Sequence, residues 1–139
     1  MIILDTNVIS EIMLPRPDIQ VLGWLDRQSD ASIWTTSVNI FEIRCGLQSM
    51  PEGKKRSALL DLFERWLAEV IQGRIASFDE AATRRTADLN ALRKKMGRPV
   101  DTRDNLIAGI VLASHATLAT RNVKHFEEIA SSLVNPWEA

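Results

Sequence analysis

The sequence predicts an α/β protein, a three-layer α/β/α sandwich around a central parallel sheet of four to five strands. Short runs of β-branched and apolar residues recur along the chain, and longer stretches with apolar residues at helical spacing separate them. Because consecutive strands alternate with helices, we expect the strands to pair in parallel through right-handed crossovers. Helices then cover both faces of the sheet.

Length and composition are those of an ordinary globular domain. The chain has 139 residues, of which 45% are hydrophobic and 25% charged, so we treat 1–139 as a single domain. The formal net charge is -1. A protein that binds nucleic acid through its overall charge is usually basic, so any such role here depends on local patches.

Cysteine content and hydropathy indicate where the protein resides. The single cysteine, Cys45, cannot form an intramolecular disulfide, and its apolar neighbours favour a small buried side chain. No signal-peptide pattern and no apolar run of membrane-spanning length is present. We therefore expect a cytoplasmic protein that has no membrane association.

The first half of the chain contains two predicted strands and three predicted helical segments. Pro15 and Pro17 end the first helix, and Asp18 caps the second helical segment. Pro51 closes the helix that follows the second strand. In chain order the elements are a strand at 1–4, a helix over 7–13, a helical segment after residue 18, a strand over 32–36 and a helix over 38–50.

The second half continues the alternation. Apolar spacing predicts a helix that includes 59–70 and stops at Gly73, and Asp79 starts a long helix that ends near Gly97. The helix over 102–115 is apolar on nearly every face, which indicates that it is buried. The remaining elements are strands over 75–78, 117–120 and 133–134, and a short helix over 123–130.

The first strand stops on a carboxylate, Asp5, which Thr6 and Asn7 follow. In open parallel sheets, ligands and catalytic groups lie just beyond the carboxyl ends of the strands. Asp5 is therefore a candidate catalytic residue. The alternative is that Asp5 only caps the next helix, since Asp is a favoured N-cap.

Two further carboxylates are expected near the same edge of the sheet. Glu42 lies one turn into the helix after the second strand, although a glutamate in a helix is more often a solvated surface residue. Asp101 and Asp104 frame the start of the buried helix, where either can serve as a cap or complement the helix dipole. We assign a functional role to Asp104 and a capping role to Asp101. Thr120 and Asn122 end the fourth strand in the same manner as the polar pair after the first strand.

Three carboxylates held close together repel one another unless a cation neutralises them. Oxygen ligands without clustered Cys or His select hard cations such as Mg²⁺ or Mn²⁺. A carboxylate-bound ion of this kind hydrolyses phosphodiesters, since it activates water and stabilises charge on the phosphate. The pattern of Asp5, Glu42 and Asp104 therefore favours a metal-dependent phosphodiesterase.

The chain contains several distinctive motifs, of which the first is the opening Met1-Ile2-Ile3-Leu4-Asp5-Thr6-Asn7-Val8-Ile9-Ser10-Glu11. The others are 42–46, Gly73-Arg74, 78–81, 120–123 with Phe126, and Asn135-Pro136-Trp137. Together they resemble the motifs of PIN-domain ribonucleases, and in particular those of the VapC-type toxins of bacterial toxin–antitoxin pairs in the FitB-like branch. The match extends over nearly the whole chain.

The resemblance implies a Mg²⁺- or Mn²⁺-dependent endoribonuclease that forms a homodimer and that a cognate antitoxin silences by occupying the active-site groove. Asp5, Glu42 and Asp104 match the acidic positions of the family, with Asp5 and Asp104 as metal ligands and Glu42 as a further candidate ligand. Many relatives carry a fourth acid where this chain has Asn122, so a second ion is expected to bind more weakly. The supporting polar residues are Thr6, Asn7, Thr120 and Asn122.

Two other functions remain open at this point. A phosphatase that uses the first-strand aspartate as nucleophile needs a second acid two positions on, where this chain has Asn7. A catalytically weak module that binds RNA or a partner through its groove is the other alternative. Loss of the fourth acid at Asn122 would favour such a module.

Overall fold

Five parallel strands form one sheet at the centre of the protein, and the computed structural model describes all residues from 1 to 139. The strands are β1 (Ile2–Leu4), β2 (Ile33–Thr36), β3 (Ile75–Ala76), β4 (Thr117–Ala119) and β5 (Leu133–Val134). They lie in the order β3-β2-β1-β4-β5, and each neighbouring pair is parallel. The strand that comes first in the chain is therefore the central one.

Helices connect the strands, and most of them begin at a side chain that caps their free N–H groups. Asp18, Thr36, Asp79 and Asp101 each accept a backbone N–H at the start of a helix. No helix combines the length and the hydropathy that a bilayer crossing requires. The helices are α1 (Thr6–Ile12), α2 (Ile19–Asp26), α3 (Ser37–Gln48), α4 (Lys54–Trp66), α5 (Glu80–Lys95) and α6 (Thr102–Ser114).

Alternation along the strands divides the apolar interior into two cores. Ile3 and Leu118 are fully buried against α5 and α6, whereas their neighbours Leu4 and Ala119 pack with residues of α1 to α4. Successive side chains of a strand point to opposite faces, so one sheet contributes to both cores. The predicted three-layer α/β/α sandwich is thereby confirmed.

The parallel register brings the carboxyl ends of the central strands to the same edge of the sheet. The backbone N–H of Asp5 donates to the carbonyl oxygen of Ala119 (3.0 Å), and the N–H of Thr120 donates to that of Val134 (3.0 Å). Thr36 ends β2 beside them and caps α3. The polar residues that follow β1, β2 and β4 therefore meet at one place.

Helices α5 and α6 pack unusually closely, because Gly109 of α6 has no side chain. A Cβ at this position would overlap the hydroxyl of Thr86 and lie 2.9 Å from the carbonyl oxygen of Ala82. Such an approach is possible only for glycine. Gly109 thus sets the distance between α6, which carries Asp104, and the long helix α5.

A buried ionic network ties α5 and α6 to the 3₁₀ segment Val123–Ser132. The side chain of Arg93 on α5 is 1% exposed, and its Nε donates to Glu128 (3.1 Å). Its two terminal nitrogens donate to the side chain of Asn105 and to the carbonyl oxygen of His125. Arg98 gives Glu128 a second cationic partner. We call Arg93, Arg98, Asn105 and Glu128 the Arg93 network.

Some details of the predicted elements were wrong. The helix expected over 123–130 is 3₁₀, with non-helical backbone angles at Phe126 and Ile129, where the chain bends to bury both side chains. The third strand ends at Ala76, two residues earlier than expected. The helix expected to include 59–70 begins at Lys54 and ends in a π-helical turn, Leu67–Ile71. Cys45 is exposed, since it lies on the outer side of α3.

Candidate active site

Asp5 is the most buried carboxylate of the site, at 5% exposed. It follows β1 directly, and its side chain caps α1, which confirms the capping interpretation, while its place at the sheet edge is the one that the catalytic interpretation requires. Oδ1 accepts the backbone N–H of Thr6 (2.8 Å) and Nδ2 of Asn39 (3.0 Å). Oδ2 accepts the hydroxyl of Thr120 (2.8 Å). These three short bonds fix the carboxylate, and the remaining acceptor position on Oδ2 receives only a long contact of 3.5 Å from Nδ2 of Asn7.

Asn39 holds Asp5 from α3, and it is fully buried. Its Nδ2 also donates to the Thr6 hydroxyl (3.0 Å), and its Oδ1 accepts the hydroxyl of Thr36 (2.5 Å). All polar atoms of this side chain are therefore used. Asn39 is a site residue that the sequence analysis missed, although it lies three positions before Glu42, on the same helical face.

Glu42 lies on α3 with a side chain 21% exposed, and it forms an ion pair with Arg103. Arg103 belongs to the first turn of α6, so this pair spans the space between two helices that follow different strands. Glu42 is therefore directed towards the site rather than the solvent, as the functional interpretation predicts.

Asp104 lies in the first turn of α6, and its side chain is 15% exposed. Oδ2 of Asp104 is 3.2 Å from Nδ1 of His125. Asp101 is the N-cap of the same helix and accepts the backbone N–H of Arg103 (2.8 Å), which confirms its predicted capping role. Neither Arg103 nor His125 was predicted from the sequence to belong to the site.

The polar residues after β1 and β4 hold each other in place. Asn7 donates to the hydroxyl of Thr120 (3.3 Å) and, at the 3.5 Å limit, to Asp5. Its Oδ1 accepts the backbone N–H of Arg121 (3.2 Å). The backbone N–H of Asn122 donates to Thr120 (3.1 Å). The four residues expected to support the site, Thr6, Asn7, Thr120 and Asn122, all lie at this edge of the sheet.

Burial and mutual repulsion shape the ionisation of the carboxylates. Burial raises the pKa of Asp5 above its usual range, and the charges of Asp104 and Glu42 add to this effect. The hydrogen bonds from Thr120 and Thr6 oppose it. Burial also raises the pKa of Asp104, whereas His125 counteracts the rise. The two carboxylates thus carry an energetic cost that a bound cation relieves.

One polar cleft of about 270 Å³ contains the predicted acids, and no hydrophobic residue lines it. No three Asp, Glu, His or Cys side chains in it converge as a ready metal cage. Glu42 instead contacts Arg103, and Asp104 contacts His125. The oxygen donors are of the type that a hard divalent cation binds, and Glu42 and Asp104 would have to exchange these partners to bind one. The lining residues are Asp5, Thr6, Asn7, Glu42, Asp101, Arg103, Asp104, Asn122 and His125.

An apolar groove of about 400 Å³ adjoins the cleft. Thr6 and Glu42 line both cavities, so the groove opens beside the carboxylates. Leu14, at its edge, is 50% exposed. The groove's other lining residues are Ser10, Met13, Ile43, Gly46, Leu47 and Leu59.

Comparison with protein families gives a match to the PIN domain over residues 2–131. The chain is 39% identical over its full length to the full-length plasmid stability protein StbB of Pseudomonas syringae pv. tomato. It is 38% identical to the VapC ribonuclease Y4jK of Sinorhizobium fredii, with 99% of each chain covered.

A third relative is similar to this chain in sequence and also has a solved structure. The toxin FitB of Neisseria gonorrhoeae is 32% identical to this chain, with 99% of each chain covered. The crystal structure of FitAcB from Neisseria gonorrhoeae superposes with a TM-score of 0.86 and 30% identity, covering all of both chains. The sheet, the helices and their order are therefore shared along the whole length.

Proposed function

Because the chain belongs to the PIN-domain family and to its VapC- and FitB-type members, we propose that it is a Mg²⁺- or Mn²⁺-dependent endoribonuclease and the toxin of a type II toxin–antitoxin pair. The reaction is hydrolysis of RNA phosphodiester bonds. The observation that carries the proposal is that Asp5, Glu42 and Asp104, from three separate segments, line one cleft without apolar walls.

The three acids have different roles in this proposal. Asp5 is held rigidly by Thr6, Asn39 and Thr120, so its carboxylate has a fixed orientation for a cation that displaces the long contact from Asn7. Asp104 supplies the second ligand from the first turn of α6. Glu42, which is less buried, completes the set or orients the attacking water. A divalent cation bound here offsets the carboxylate and phosphate charges and lowers the pKa of water.

Asn122 limits the cation content of the site. Its backbone is fixed by Thr120 and it lines the cleft, but an amide adds no negative charge. We therefore expect a second cation to bind more weakly than the first. Asn122 and Asn7 assist as neutral hydrogen-bonding groups.

Cleavage of a mixed RNA pool by partner-free protein tests the activity, with Mg²⁺, with Mn²⁺ and with a chelator. We expect metal-dependent cutting, and a loss of at least a hundredfold in Asp5→Asn and Asp104→Asn, because each substitution removes a ligand charge while preserving shape. Asp79→Asn is the matched control, since it alters another N-cap carboxylate that lies outside the cleft. It is expected to cut at the parent rate.

Three outcomes would contradict different parts of the proposal. Unchanged cutting by Asp5→Asn or Asp104→Asn would remove those residues from the mechanism. Tight RNA binding by folded protein without cutting in either metal would instead support the RNA-binding module. Trapping of an aspartyl-phosphate on Asp5 would favour the phosphatase.

The apolar groove supports the second half of the proposal, an antitoxin partner. A partner helix laid along this groove places its side chains beside Thr6 and Glu42, where a basic residue reaches the carboxylates. Leu14→Glu is expected to weaken partner binding at least tenfold and leave cleavage intact. Leu92→Glu, at a similarly exposed site on α5, is the control. Equal effects of the two variants in a titration of partner binding would exclude this groove as the docking site.

A further inference from the structure

Arg103 lines the cleft, and the roles proposed above for the three acids do not involve it. It precedes Asp104 on α6, and its backbone N–H is fixed by the cap Asp101. Its guanidinium pairs with Glu42 of α3, while its Nε remains 3.9 Å from Asp101. The side chain is 46% exposed, so it can change partner without disturbing the core.

Arg103 offsets part of the negative charge that lines the cleft. Four carboxylates line it, and an RNA phosphate that approaches them is repelled. Arg103 is the one lining residue with a permanent positive charge. Its planar group matches phosphate oxygens as well as it matches a carboxylate, because both accept two parallel hydrogen bonds.

We propose that Arg103 competes with the divalent cation for Glu42 and, once Glu42 binds the cation, contacts a backbone phosphate of the RNA. This inference rests on the proposed nuclease function and adds a substrate-binding residue to it. In cation-free protein the Glu42–Arg103 pair neutralises both groups and keeps Arg103 away from substrate. Glu42 and phosphate are thus alternative anions for one guanidinium.

The test is a pair of affinities measured on the full chain and on Arg103→Gln. Mn²⁺ binding to RNA-free protein is measured by calorimetry, and binding of a labelled single-stranded RNA by fluorescence anisotropy in Ca²⁺. Because the variant lacks the competitor for Glu42, its Mn²⁺ affinity is expected to increase about two- to fivefold, the range of a partly exposed ion pair. Its RNA affinity is expected to fall about tenfold through loss of a charged hydrogen bond.

Three further measurements test the same inference. A plot of log RNA affinity against log salt concentration has a negative slope. In Arg103→Gln this slope is expected to be less steep by about 0.7, the change for one lost phosphate contact on a single strand. In chelator, where Arg103 stays on Glu42, the substitution is expected to change RNA affinity less than twofold. Arg103→Lys retains the charge but lacks the planar guanidinium group. Its RNA affinity is therefore expected to lie between those of the parent protein and Arg103→Gln.

Arg84→Gln is the control, since it removes the same charge from an exposed ion pair on α5. It is expected to alter neither affinity. Weaker Mn²⁺ binding by Arg103→Gln would overturn the inference, because Arg103 would then only orient Glu42. An RNA affinity no lower than that of Arg84→Gln would also overturn it.

The same experiment separates this inference from the function on which it rests. If the parent protein cuts RNA, but the Mn²⁺ affinity and the RNA affinity of Arg103→Gln both rise or both fall, only the role of Arg103 is refuted. The nuclease function then stands. Parent protein that neither cuts nor binds RNA with Mg²⁺ or Mn²⁺ refutes both proposals.

Discussion

At the scale of single residues, Asp5 makes stability depend on pH. Burial and the neighbouring acids raise its pKa above 3.8 in the cation-free protein, so the folded state binds its proton more tightly than the unfolded state does. This contribution stabilises the fold below the unfolded pKa and is lost as pH rises through the folded pKa. The raised pKa of Asp104 acts in the same direction.

Asp5→Asn isolates that effect, because the amide carries no titrating charge. In urea unfolding with chelator present, we expect Asp5→Asn to gain stability relative to the parent as pH rises from about 4 towards neutrality. The difference should become constant above the folded pKa. A difference in the free energy of unfolding that is constant throughout this range would contradict the raised pKa.

The residues of the site divide into those that sequence patterns predict and those that only tertiary contacts identify. Asp5 directly follows an apolar run and Asp104 shortly precedes one, so a local change in hydropathy marks both positions. Asn39 and Arg103 act through partners on other elements, at separations that local patterns do not encode. Cys45 shows the same limit, since its exposure depends on which face of α3 meets the sheet.

At the scale of elements, the contact between α5 and α6 depends on Gly109. We expect Gly109→Ala to lower the free energy of unfolding by about 2 kcal/mol, because the methyl group forces the helices apart. Gly46→Ala on α3 is the control, since its Cβ has no atom within 4 Å. It is expected to stabilise by about 0.5–1 kcal/mol. Chemical denaturation of both variants measures the two changes, and equal signs would contradict the close contact.

Besides the close packing at Gly109, the Arg93 network also holds α6 in position. Arg93→Met is expected to cost about 3 kcal/mol, because it leaves buried polar partners unpaired. Arg84→Met removes an exposed pair from the same helix and is expected to change stability by less than about 0.5 kcal/mol. A small effect of Arg93→Met in thermal or chemical unfolding would mean that Arg98 alone satisfies Glu128.

The order of elements was predictable, whereas their ends were less so. Hydrophobic periodicity and helix-capping residues predicted the positions of the five strands and of the buried helix α6, because both signals are local in the sequence. The π-helical turn after α4 and the bends within Val123–Ser132 arise where the chain must bury Ile71, Phe126 and Ile129. Packing decides such geometry, and no short window of sequence contains it.

At the scale of the whole molecule, cation binding and folding are linked. An ion bound only by the folded site stabilises it by about 2.7 kcal/mol at a hundred times its Kd, which corresponds to a rise in Tm of about 8 °C. We expect this rise with Mg²⁺ or Mn²⁺, and not with K⁺ at equal ionic strength. Asp104→Asn should abolish most of it. A similar rise in that variant would place the ion elsewhere.

The central position of β1 has a consequence for synthesis on the ribosome. Its flanking partners β2 and β4 are made later, and Asp5 receives its hydrogen bonds from Asn39 and Thr120, which lie 34 and 115 positions further along. A nascent chain that stops before β4 therefore has neither a complete central sheet nor a fixed Asp5. The proposed toxin therefore cannot form its active site during translation until nearly the whole domain has left the ribosome.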